Sequence, residues 1–394
     1  MAKFNEYKYE RPNLEKVQKD LEEQIALIGS GKDLKTEIKA IYKVFEINDK
    51  TDTSGTLVSV RNSLNTNDEF YEKEQEFLNE NIPHLQEYSQ LFSKHLLTSK
   101  NRKKLEKELG SLLFDQAELE MKTFSTEIIP ELQLDNKLSM EYQKLMSSAK
   151  LEFQGGTYNL SQMRPFTQDL NRDTRHQAQL VVSGWFEQNE EQLDRIYDDM
   201  VKNRDKMAKK LGYENYVQLG YDRLGRTDYN WKDVQTYRDQ IFESVVPLVT
   251  ELQKRKGNRI GIEDPKSYDL ALSFLTGNPT PKGDSTWQLD VAKNMYEQMS
   301  PQTGEFINFM IDRELLELDA KEGKSGGGYC TYFATYNSPF IFANFNGTSG
   351  DVDVLTHEAG HAFQVFSSRD NIPAYRWPTM VAAEIHSMSM EFLA

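Results

Sequence analysis

The feature that most constrains how this chain folds is the segment His357-Glu358-Ala359-Gly360-His361, near its carboxyl end. Residues four apart on an α-helix lie on one face, with Cβ atoms about 5 to 6 Å apart. If this segment is helical, both imidazoles reach a single cation, and histidine binds zinc at Zn–N distances of about 2.0 to 2.1 Å. The spacing therefore predicts a helix that carries two ligands of a zinc ion.

The three residues between the histidines fit the same interpretation. Glu358 lies about 60° beyond His361 around the helix, so it stands beside the metal without having to bind it. A carboxylate in this position can remove a proton from zinc-bound water, whose pKa the metal lowers to about 7. Ala359 and Gly360 turn away from the metal and are small, so another element can pack closely behind the helix. The chain has 6 histidines among 394 residues, so the probability that this motif occurs by chance is on the order of one in a hundred. The flanking sequence therefore has to show whether the motif is a metal site.

The flanking residues predict where this helix begins. Residues 346–350, Asn-Gly-Thr-Ser-Gly, are typical of a turn. Thr348 or Ser349 is expected to cap the helix. Asp351 and Asp353 then fall in its first turn, where the helix dipole favours negative charge. A helix that starts here includes both histidines.

A second predicted helix, residues 380–392, follows the helix-breaking Pro378 and offers a third ligand. By the 3.6-residue period, one stripe of this helix combines apolar residues and carboxylates: Met380, Glu384, Met388 and Glu391. Because a carboxylate on an apolar face needs a partner or a metal, we predict that Glu384 is the third zinc ligand, which leaves a fourth position for water. Glu391 is interpreted either as a partner of a ligating histidine or as an exposed residue at the helix end. His386 is expected to point away from the metal.

Residues 329–346 precede the metal helix and read as two β-strands separated by Tyr336-Asn337-Ser338-Pro339. A strand beside that helix could bind an extended peptide by edge pairing, and glycines before it would let a peptide backbone approach closely. An ordinary flexible entry to a hairpin explains the glycines equally well. The candidate substrate-binding residues are Gly326, Gly327, Gly328 and Tyr329.

Several segments together resemble one family. The motif at 357–361, followed by Glu384-Ile385-His386-Ser387-Met388-Ser389-Met390-Glu391, is similar to the zinc site of the thimet oligopeptidase superfamily, in its bacterial oligoendopeptidase F branch. Residues 326–330 and 338–345 are similar to the same branch. The likeness extends more weakly through residues 211–213 and 226–229.

The resemblance implies a fold and a role for each residue of the motif. The implied fold is mainly α, a multi-helical zincin-type metallopeptidase with a small β-sheet beside the zinc helix. A deep substrate channel is expected to admit short or unfolded peptides and to exclude folded proteins. His357, His361 and Glu384 would bind one zinc ion per chain, and Glu358 would be the general base.

The function predicted from these residues is hydrolysis of short or unfolded oligopeptides by a zinc endopeptidase. Three alternatives stay open. A zinc aminopeptidase would share the two-histidine helix, although the Gly-x-Met-Glu-Asn element usual in such enzymes is absent from this sequence. A non-catalytic helical interaction module would fit the amino-terminal part, and a zinc-binding but inactive fragment would fit the carboxyl end.

The carboxyl end is the reason for the fragment alternative. Phe392-Leu393-Ala394 continues an apolar helical pattern and stops without a glycine, a proline or a polar cap. The resembling family continues beyond this point and supplies residues that stabilise the oxyanion, each worth roughly 10²- to 10³-fold in rate. We therefore expect a part of a longer enzyme, with its carboxyl portion as a possible partner.

Before the segments that carry the predicted zinc ligands, the spacing of apolar residues predicts long helices. Apolar residues recur at three- and four-residue steps between Phe70 and Leu96, with an interruption near Pro83. Further helices are predicted over residues 169–211, closed by Leu211-Gly212-Tyr213, and over 231–256, closed by Gly257-Asn258.

A hairpin is predicted where residues 151–154 and 157–160 flank Gly155-Gly156. It marks a boundary between an amino-terminal helical region, residues 1–150, and a catalytic region, residues 151–394. A chain of this length is expected to contain two or more such regions.

Composition excludes several classes of partner. The net charge of -15 at pH 7 argues against nucleic acid and anionic membranes. The sequence has no apolar run near the 18 or so residues of a membrane span, and residues 1–6 contain no apolar signal core.

The lone cysteine, Cys330, rules out an internal disulfide framework and agrees with a reducing compartment, so a cytoplasmic location is expected. Its thiol is interpreted as a small packing group.

Overall fold

Helices make up most of the described chain, which comprises residues 2–29 and 31–394 of a computed structural model. The helices are α1 (Leu14–Ile25), α2 (Leu34–Leu64), α3 (Glu69–Thr98), α4 (Arg102–Leu109), α5 (Leu112–Thr123), α6 (Ile129–Ser147), α7 (Arg164–Thr167), α8 (Arg172–Gln188), α9 (Glu190–Lys210), α10 (Tyr216–Arg223), α11 (Trp231–Gln240), α12 (Val246–Arg259), α13 (Ser285–Met299), α14 (Pro301–Asp312), α15 (Gly350–Ser368), α16 (Pro373–Arg376) and α17 (Met380–Leu393). The strands are β1 (Leu151–Phe153), β2 (Gly156–Tyr158), β3 (Leu316–Asp319), β4 (Tyr329–Phe333) and β5 (Ser338–Phe345). The predicted mainly α class with a small sheet is confirmed. Within these described ranges, no helix has the length and apolarity needed to cross a membrane.

Helix α3 runs through Pro83 without a break, although the apolar stripe is interrupted near this residue. Proline lacks an N–H, which leaves the carbonyl of Asn79 without its helical donor. The side chain of Asn136 replaces that donor, with its Nδ2 3.2 Å from the Asn79 oxygen, and Gln133 Nε2 lies 2.6 Å from the Glu80 oxygen. Both donors belong to α6, so packing between two helices compensates for the bond that the proline removes.

The helical pattern that begins at residue 231 ends later than predicted. It continues through one π-helical turn into α12, which ends at Arg259. Gly257 therefore does not close the helix. A Cβ there would lie 3.0 Å from Pro265 Cγ, so the glycine instead lets the following loop pack closely. Gly261, with a φ of +69°, takes the left-handed conformation that is typical of a helix end.

The pattern over residues 169–211 forms two helices, α8 and α9, which meet at Asn189. The Asn189 side chain donates to the Trp185 carbonyl at 2.7 Å, which satisfies a terminal acceptor of α8. The predicted end at residues 211–213 is confirmed, since α9 stops at Lys210 and Gly212 has a φ of +81°.

The two sheets contain the predicted strands and one more. β1 and β2 form the predicted hairpin, but Phe153 pairs with Gly156, so the turn is Gln154-Gly155, both with positive φ. β4 and β5 pair antiparallel, with Ser338 and Pro339 inside β5 rather than in the turn. The additional strand, β3, was not predicted; it is parallel to β5 and pairs with its other side. The order β3-β5-β4 places β4 at an edge.

One large hydrophobic cluster surrounds the three-stranded sheet. Its buried members include Phe340 and Phe342 of β5, Phe306 of α14, and Ala359 and Ala362 of α15. Burial of a side chain as large as phenylalanine contributes about 1.5 to 3 kcal/mol. The helix that carries the two-histidine motif is therefore held firmly against the sheet.

A second hydrophobic cluster lies among α1 to α5 and includes Ile41, Val44 and Leu96. Ala374 of α16 also belongs to it, although α16 lies between α15 and α17 in the sequence. The amino-terminal helices thus contact the segment that connects the two predicted metal helices. The division into residues 1–150 and 151–394 stays a prediction.

Candidate metal centre

Ser349 occupies the predicted N-cap position of α15, but a carboxylate and not its hydroxyl holds the loop before the helix. Ser349 immediately precedes the helix, but its side chain makes no capping hydrogen bond. The Thr348 hydroxyl donates to the Asn346 side chain instead. The buried carboxylate of Asp351 accepts the N–H groups of Asn346 and Gly347 at 2.9 and 2.8 Å. A charged acceptor makes stronger hydrogen bonds than a hydroxyl, and it folds the loop back onto the helix end.

The structure brings the three predicted zinc ligands together. His357 and His361 lie one turn apart on α15, and Glu384 reaches them from α17. Glu384 Oε2 is 3.1 Å from His357 Nε2 and 3.8 Å from His361 Nε2, and all three ligand atoms lie within 4.8 Å of one another. Tetrahedral ligands at zinc-binding distances are separated by about 3.3 to 3.6 Å. Two imidazoles and a carboxylate are also a donor set that suits zinc, so the residues present fit this ion.

Two neighbouring side chains contact the candidate ligands His357 and Glu384. The Glu391 carboxylate hydrogen-bonds to His357 Nδ1, which leaves the Nε2 atom of that ring beside Glu384. A carboxylate on the far nitrogen of a ligating histidine sets its tautomer and raises its basicity. The buried Ser387 hydroxyl donates to Glu384 Oε2 at 2.9 Å. This contact of Ser387 was not predicted, although its spacing of three residues from Glu384 on a helix allows it.

The stripe of α17 that contains Glu384 is exposed, so the prediction that it forms a buried apolar face is wrong. Met380 and Met388 are 65% and 51% exposed, and the Glu384 side chain is 49% exposed. The buried face of α17 consists of Ala383, Ser387 and Met390. His386 is exposed and does not belong to the group of three ligand atoms.

Close packing between α15 and α17 sets the distance between the histidines and Glu384. A Cβ at Gly360 would lie 2.6 Å from Ser387 Cα and 2.8 Å from the His386 oxygen. Such distances are overlaps, so the approach depends on glycine. The prediction that Ala359 and Gly360 allow another element to pack behind the helix is confirmed, since both are buried. The element that packs there is the helix that carries Glu384.

Glu358 lies beside the ligands and is only 7% exposed. Its Oε2 has no hydrogen-bond partner within the part of the chain that the structure describes. Burial raises the pKa of Glu358 to about 7, while His357 lowers it and Glu384 raises it further. Burial also lowers the pKa of His361, which favours the neutral imidazole that metal binding requires. A carboxyl group with a pKa near neutrality can both accept and donate a proton at physiological pH.

The glycine run lies directly beside Glu358. A Cβ at Gly328 would lie 3.5 Å from Glu358 Oε1. Gly326, Gly327 and Tyr329 line a cavity of about 630 Å³. β4 begins at Tyr329, and its outer side has no partner strand in the described sheet. The glycine run therefore lies between the buried carboxylate, which Gly328 approaches, and a cavity that Gly326 and Gly327 line.

Two segments of the chain match known families. Residues 4–124 match the Peptidase M3 N-terminal domain, and residues 278–394 match Peptidase family M3. The second segment contains the three candidate ligands, Glu358 and Glu391.

Solved structures are similar to the chain over its whole length. A proposed oligoendopeptidase F from Bacillus anthracis str. Ames is 48% identical, with a TM-score of 0.98 over 100% of this chain and 72% of that one. PZ peptidase A, solved with an inhibitor, is 46% identical, with a TM-score of 0.98 over 99% of this chain and 70% of that one.

A sequence relative is matched over part of the chain only. Group B oligopeptidase PepB of Streptococcus agalactiae serotype III (strain NEM316) is 23% identical over 229 residues, which cover 56% of this chain and only 36% of that relative.

Proposed function

The chain belongs to peptidase family M3, and from that membership we propose that it is a zinc-dependent endopeptidase that cleaves short or unfolded oligopeptides. One observation carries the proposal: three ligand atoms within 4.8 Å of one another stand beside a buried carboxyl group, Glu358, whose Oε2 has no partner in the described ranges. A buried polar atom without a partner costs free energy. Its retention next to a ligand cluster supports a chemical role.

In this proposal His357, His361 and Glu384 hold one zinc ion. The ion, when bound, polarises the scissile carbonyl and lowers the pKa of the attacking water. Glu358 accepts a proton from that water at its free Oε2 and then delivers it to the leaving amine. Its pKa of about 7 suits both steps, because the group is partly protonated near neutral pH. Glu391 keeps His357 in the tautomer that presents Nε2.

The substrate backbone is proposed to lie along the free edge of β4, next to the cavity. Gly326, Gly327 and Gly328 carry no side chains there, so an extended peptide can come close to Glu358. Asn344 Nδ2 donates to the Gly327 oxygen at 2.8 Å, which keeps the glycine run in place. Main-chain pairing with a strand edge depends little on side chains. This supports peptides of varied sequence as substrates.

Separate replacement of the base and of a ligand tests this mechanism. Glu358→Gln is expected to keep one zinc ion per chain and to lower kcat by about 10²- to 10⁴-fold, because the proton acceptor is lost. His357→Ala is expected to lose both zinc and cleavage. Metal content after dialysis and cleavage of internally quenched peptides measure the two properties. Glu69→Gln, at a side chain that is 83% exposed, is the matched control and should leave both unchanged. Full activity of Glu358→Gln would contradict the mechanism.

A panel of quenched peptides of several lengths, free or blocked at the amino terminus, distinguishes the alternatives. Cleavage of blocked peptides at internal bonds supports the endopeptidase. A requirement for a free amino terminus would identify a zinc aminopeptidase instead. Zinc bound without cleavage of any peptide would identify a zinc-binding but inactive chain.

A further inference from the structure

Residues 369–379 connect the two metal helices, α15 and α17, and they contact the amino-terminal helices. We propose that an ion pair between Arg376 of this connector and Asp49 of α2 positions Glu384 for metal binding. The inference rests on the proposed zinc site. It makes Arg376 a positioning residue, which acts on the site through the connector and touches neither metal nor substrate.

The ion pair joins segments that are far apart in sequence. Arg376 Nη1 lies 2.8 and 2.9 Å from the two carboxylate oxygens of Asp49. The side chains of Arg376 and Asp49 are only 17% and 21% exposed, so water screens their attraction less than at an open surface. Arg376 Nε also donates to the Asn371 carbonyl at 2.9 Å, which fixes the guanidinium within the connector.

The backbone of the same residue contacts the metal helix. The Arg376 carbonyl accepts Gln364 Nε2 at 3.0 Å and Ser368 Oγ at 2.6 Å. Both donors lie on α15, and Gln364 is three residues beyond His361. A single residue therefore joins α2, the connector and the helix that carries both histidines.

Packing holds the rest of the connector against the amino-terminal helices. Ala374 belongs to the hydrophobic cluster among α1 to α5. The Tyr375 hydroxyl accepts the Leu112 N–H at 3.3 Å. A Cβ at Gly110 would lie 2.1 Å from the same hydroxyl oxygen, so the tyrosine occupies space that a glycine leaves open. The connector is thus seated on α4 and α5 as well as tied to α2.

The position of α17 depends on this connector because much of its surface is open. Its buried residues face α15, whereas Val381, Ile385 and Phe392 are 47%, 66% and 88% exposed. Glu384 lies in the second turn of α17, shortly after the connector ends. A shift of the connector therefore moves the carboxylate relative to His361, from which it is separated by 3.8 Å. Loss of a group that hydrogen-bonds directly to a metal ligand typically weakens metal affinity by about 10- to 100-fold, so a residue that acts through the connector is expected to have an effect near the lower end.

The test measures the zinc affinity of the full chain by competition with a chromophoric chelator. Arg376→Gln is expected to weaken zinc binding by about 10-fold. We vary the arginine because its guanidinium contacts both the Asp49 carboxylate and the Asn371 carbonyl, so one substitution removes both contacts. Arg376→Lys keeps the charge but loses the guanidinium contacts, and a smaller loss of affinity is expected.

Arg204→Gln is the matched control, since it removes another arginine–aspartate pair. Arg204 and Asp135 join α9 to α6 through two contacts of 2.8 and 3.2 Å, with side chains 37% and 23% exposed. This control should bind zinc as wild type does. Thermal unfolding of the metal-free variants shows how much general stability each substitution removes.

A loss of zinc affinity in the Arg376 variants that exceeds the loss in Arg204→Gln, at similar metal-free Tm, supports the positioning role. Wild-type affinity in both Arg376 variants would overturn it, as would an equal loss in Arg204→Gln. A wild-type chain that binds no zinc at all would overturn the proposed zinc site itself, so the two failures are distinguishable.

Discussion

At the scale of single residues, three glutamates around one pair of histidines have different environments. Glu384 is half exposed and lies near both imidazoles, and Glu391 contacts His357 on its other nitrogen. Glu358 is buried, and burial raises its pKa to about 7. All three residues are glutamates, so their different surroundings must account for their different proposed roles. Glu384 is the proposed ligand, Glu391 the proposed orienting group and Glu358 the proposed base.

The raised pKa of Glu358 predicts a pH-dependent stability of the metal-free chain. A glutamate in an unfolded chain has a pKa of about 4.3, so above this value the folded state binds more protons than the unfolded state does. Protonated Glu358 makes its full contribution to the free energy of unfolding below about pH 4, and this contribution is lost as the pH rises through about 7. Relative to Glu358→Gln, the wild type should lose roughly 1 to 3 kcal/mol of unfolding free energy between pH 4 and 8. Urea unfolding at several pH values measures this loss, and a difference independent of pH would contradict the assignment.

At the scale of elements, contact between α15 and α17 turns two short motifs into one site. Each helix can be predicted by itself, because the apolar periodicity and the residues that end the helix lie within the same short segment of sequence. The glycine at 360 determines how near the two helices come, since Ser387 lies directly against it. The free edge of β4 similarly arises from the sheet order and not from the strand itself.

Gly360→Ala should push α17 away from α15. The new Cβ would overlap backbone atoms of α17 at 2.6 and 2.8 Å. Overpacking of this kind costs about 1 to 3 kcal/mol, and zinc affinity should fall by at least about 10-fold as Glu384 moves. Gly184→Ala on α8 is the control, because no atom lies within 4 Å of its Cβ. Zinc affinity and Tm of both variants check this, and wild-type affinity in Gly360→Ala would show that α17 has room to adjust.

The glycine run before β4 should affect substrate binding without affecting the metal. Gly326→Val is expected to raise KM for peptides about 10-fold while zinc content stays constant, because the side chain would intrude on the cavity. Gly327 is a poorer position for this test, since its φ of +86° would strain any other residue. Unchanged peptide kinetics in Gly326→Val would exclude contact between substrate and this segment.

At the scale of the whole molecule, buried ion pairs connect segments that are distant in sequence. Asp269 is fully buried and pairs with Arg172 and Arg175 of α8 at 2.8 Å each. Hydrogen bonds from Arg172 hold the pKa of the Asp269 carboxyl well below its usual range, despite the opposing effect of burial. Arg175, which is 1% exposed, also donates to the Tyr268 carbonyl, so removal of the carboxylate would leave a buried cation.

Asp269→Asn should destabilise the chain by about 3 to 5 kcal/mol at pH 7, because Arg175 loses its buried counter-charge. The stability from Asp269 is present above the unfolded pKa of about 3.9 and is lost as the pH falls below it. Asp198→Asn, which breaks an exposed pair with Lys202, should change stability by less than about 1 kcal/mol. Denaturant unfolding of both variants compares them. Equal effects would mean that the buried pair contributes no more than a surface one.

Structural features that depend on local residue spacing were predicted correctly from the sequence. Features that depend on contacts between distant segments were not. The two-histidine helix, the end of α9 at residues 211–213 and the strands β4 and β5 follow from turn residues and periodicity. The continuity of α3 through Pro83 did not, because the compensating donors come from α6. β3 was missed since four residues paired with β5 carry little pattern of their own.

The helical class, the family resemblance and the residues proposed to bind zinc were all predictable from the amino-acid sequence, because they depend on residue types within a few helical turns. The burial of Ala383, Ser387 and Met390 of α17, instead of the stripe with Glu384, follows from the packing of the folded chain. The same packing brings Asp49 to Arg376 across 327 positions of the chain. The physical reason is that these contacts depend on how whole helices pack against each other, and a period of 3.6 residues does not specify the partner of a helix face.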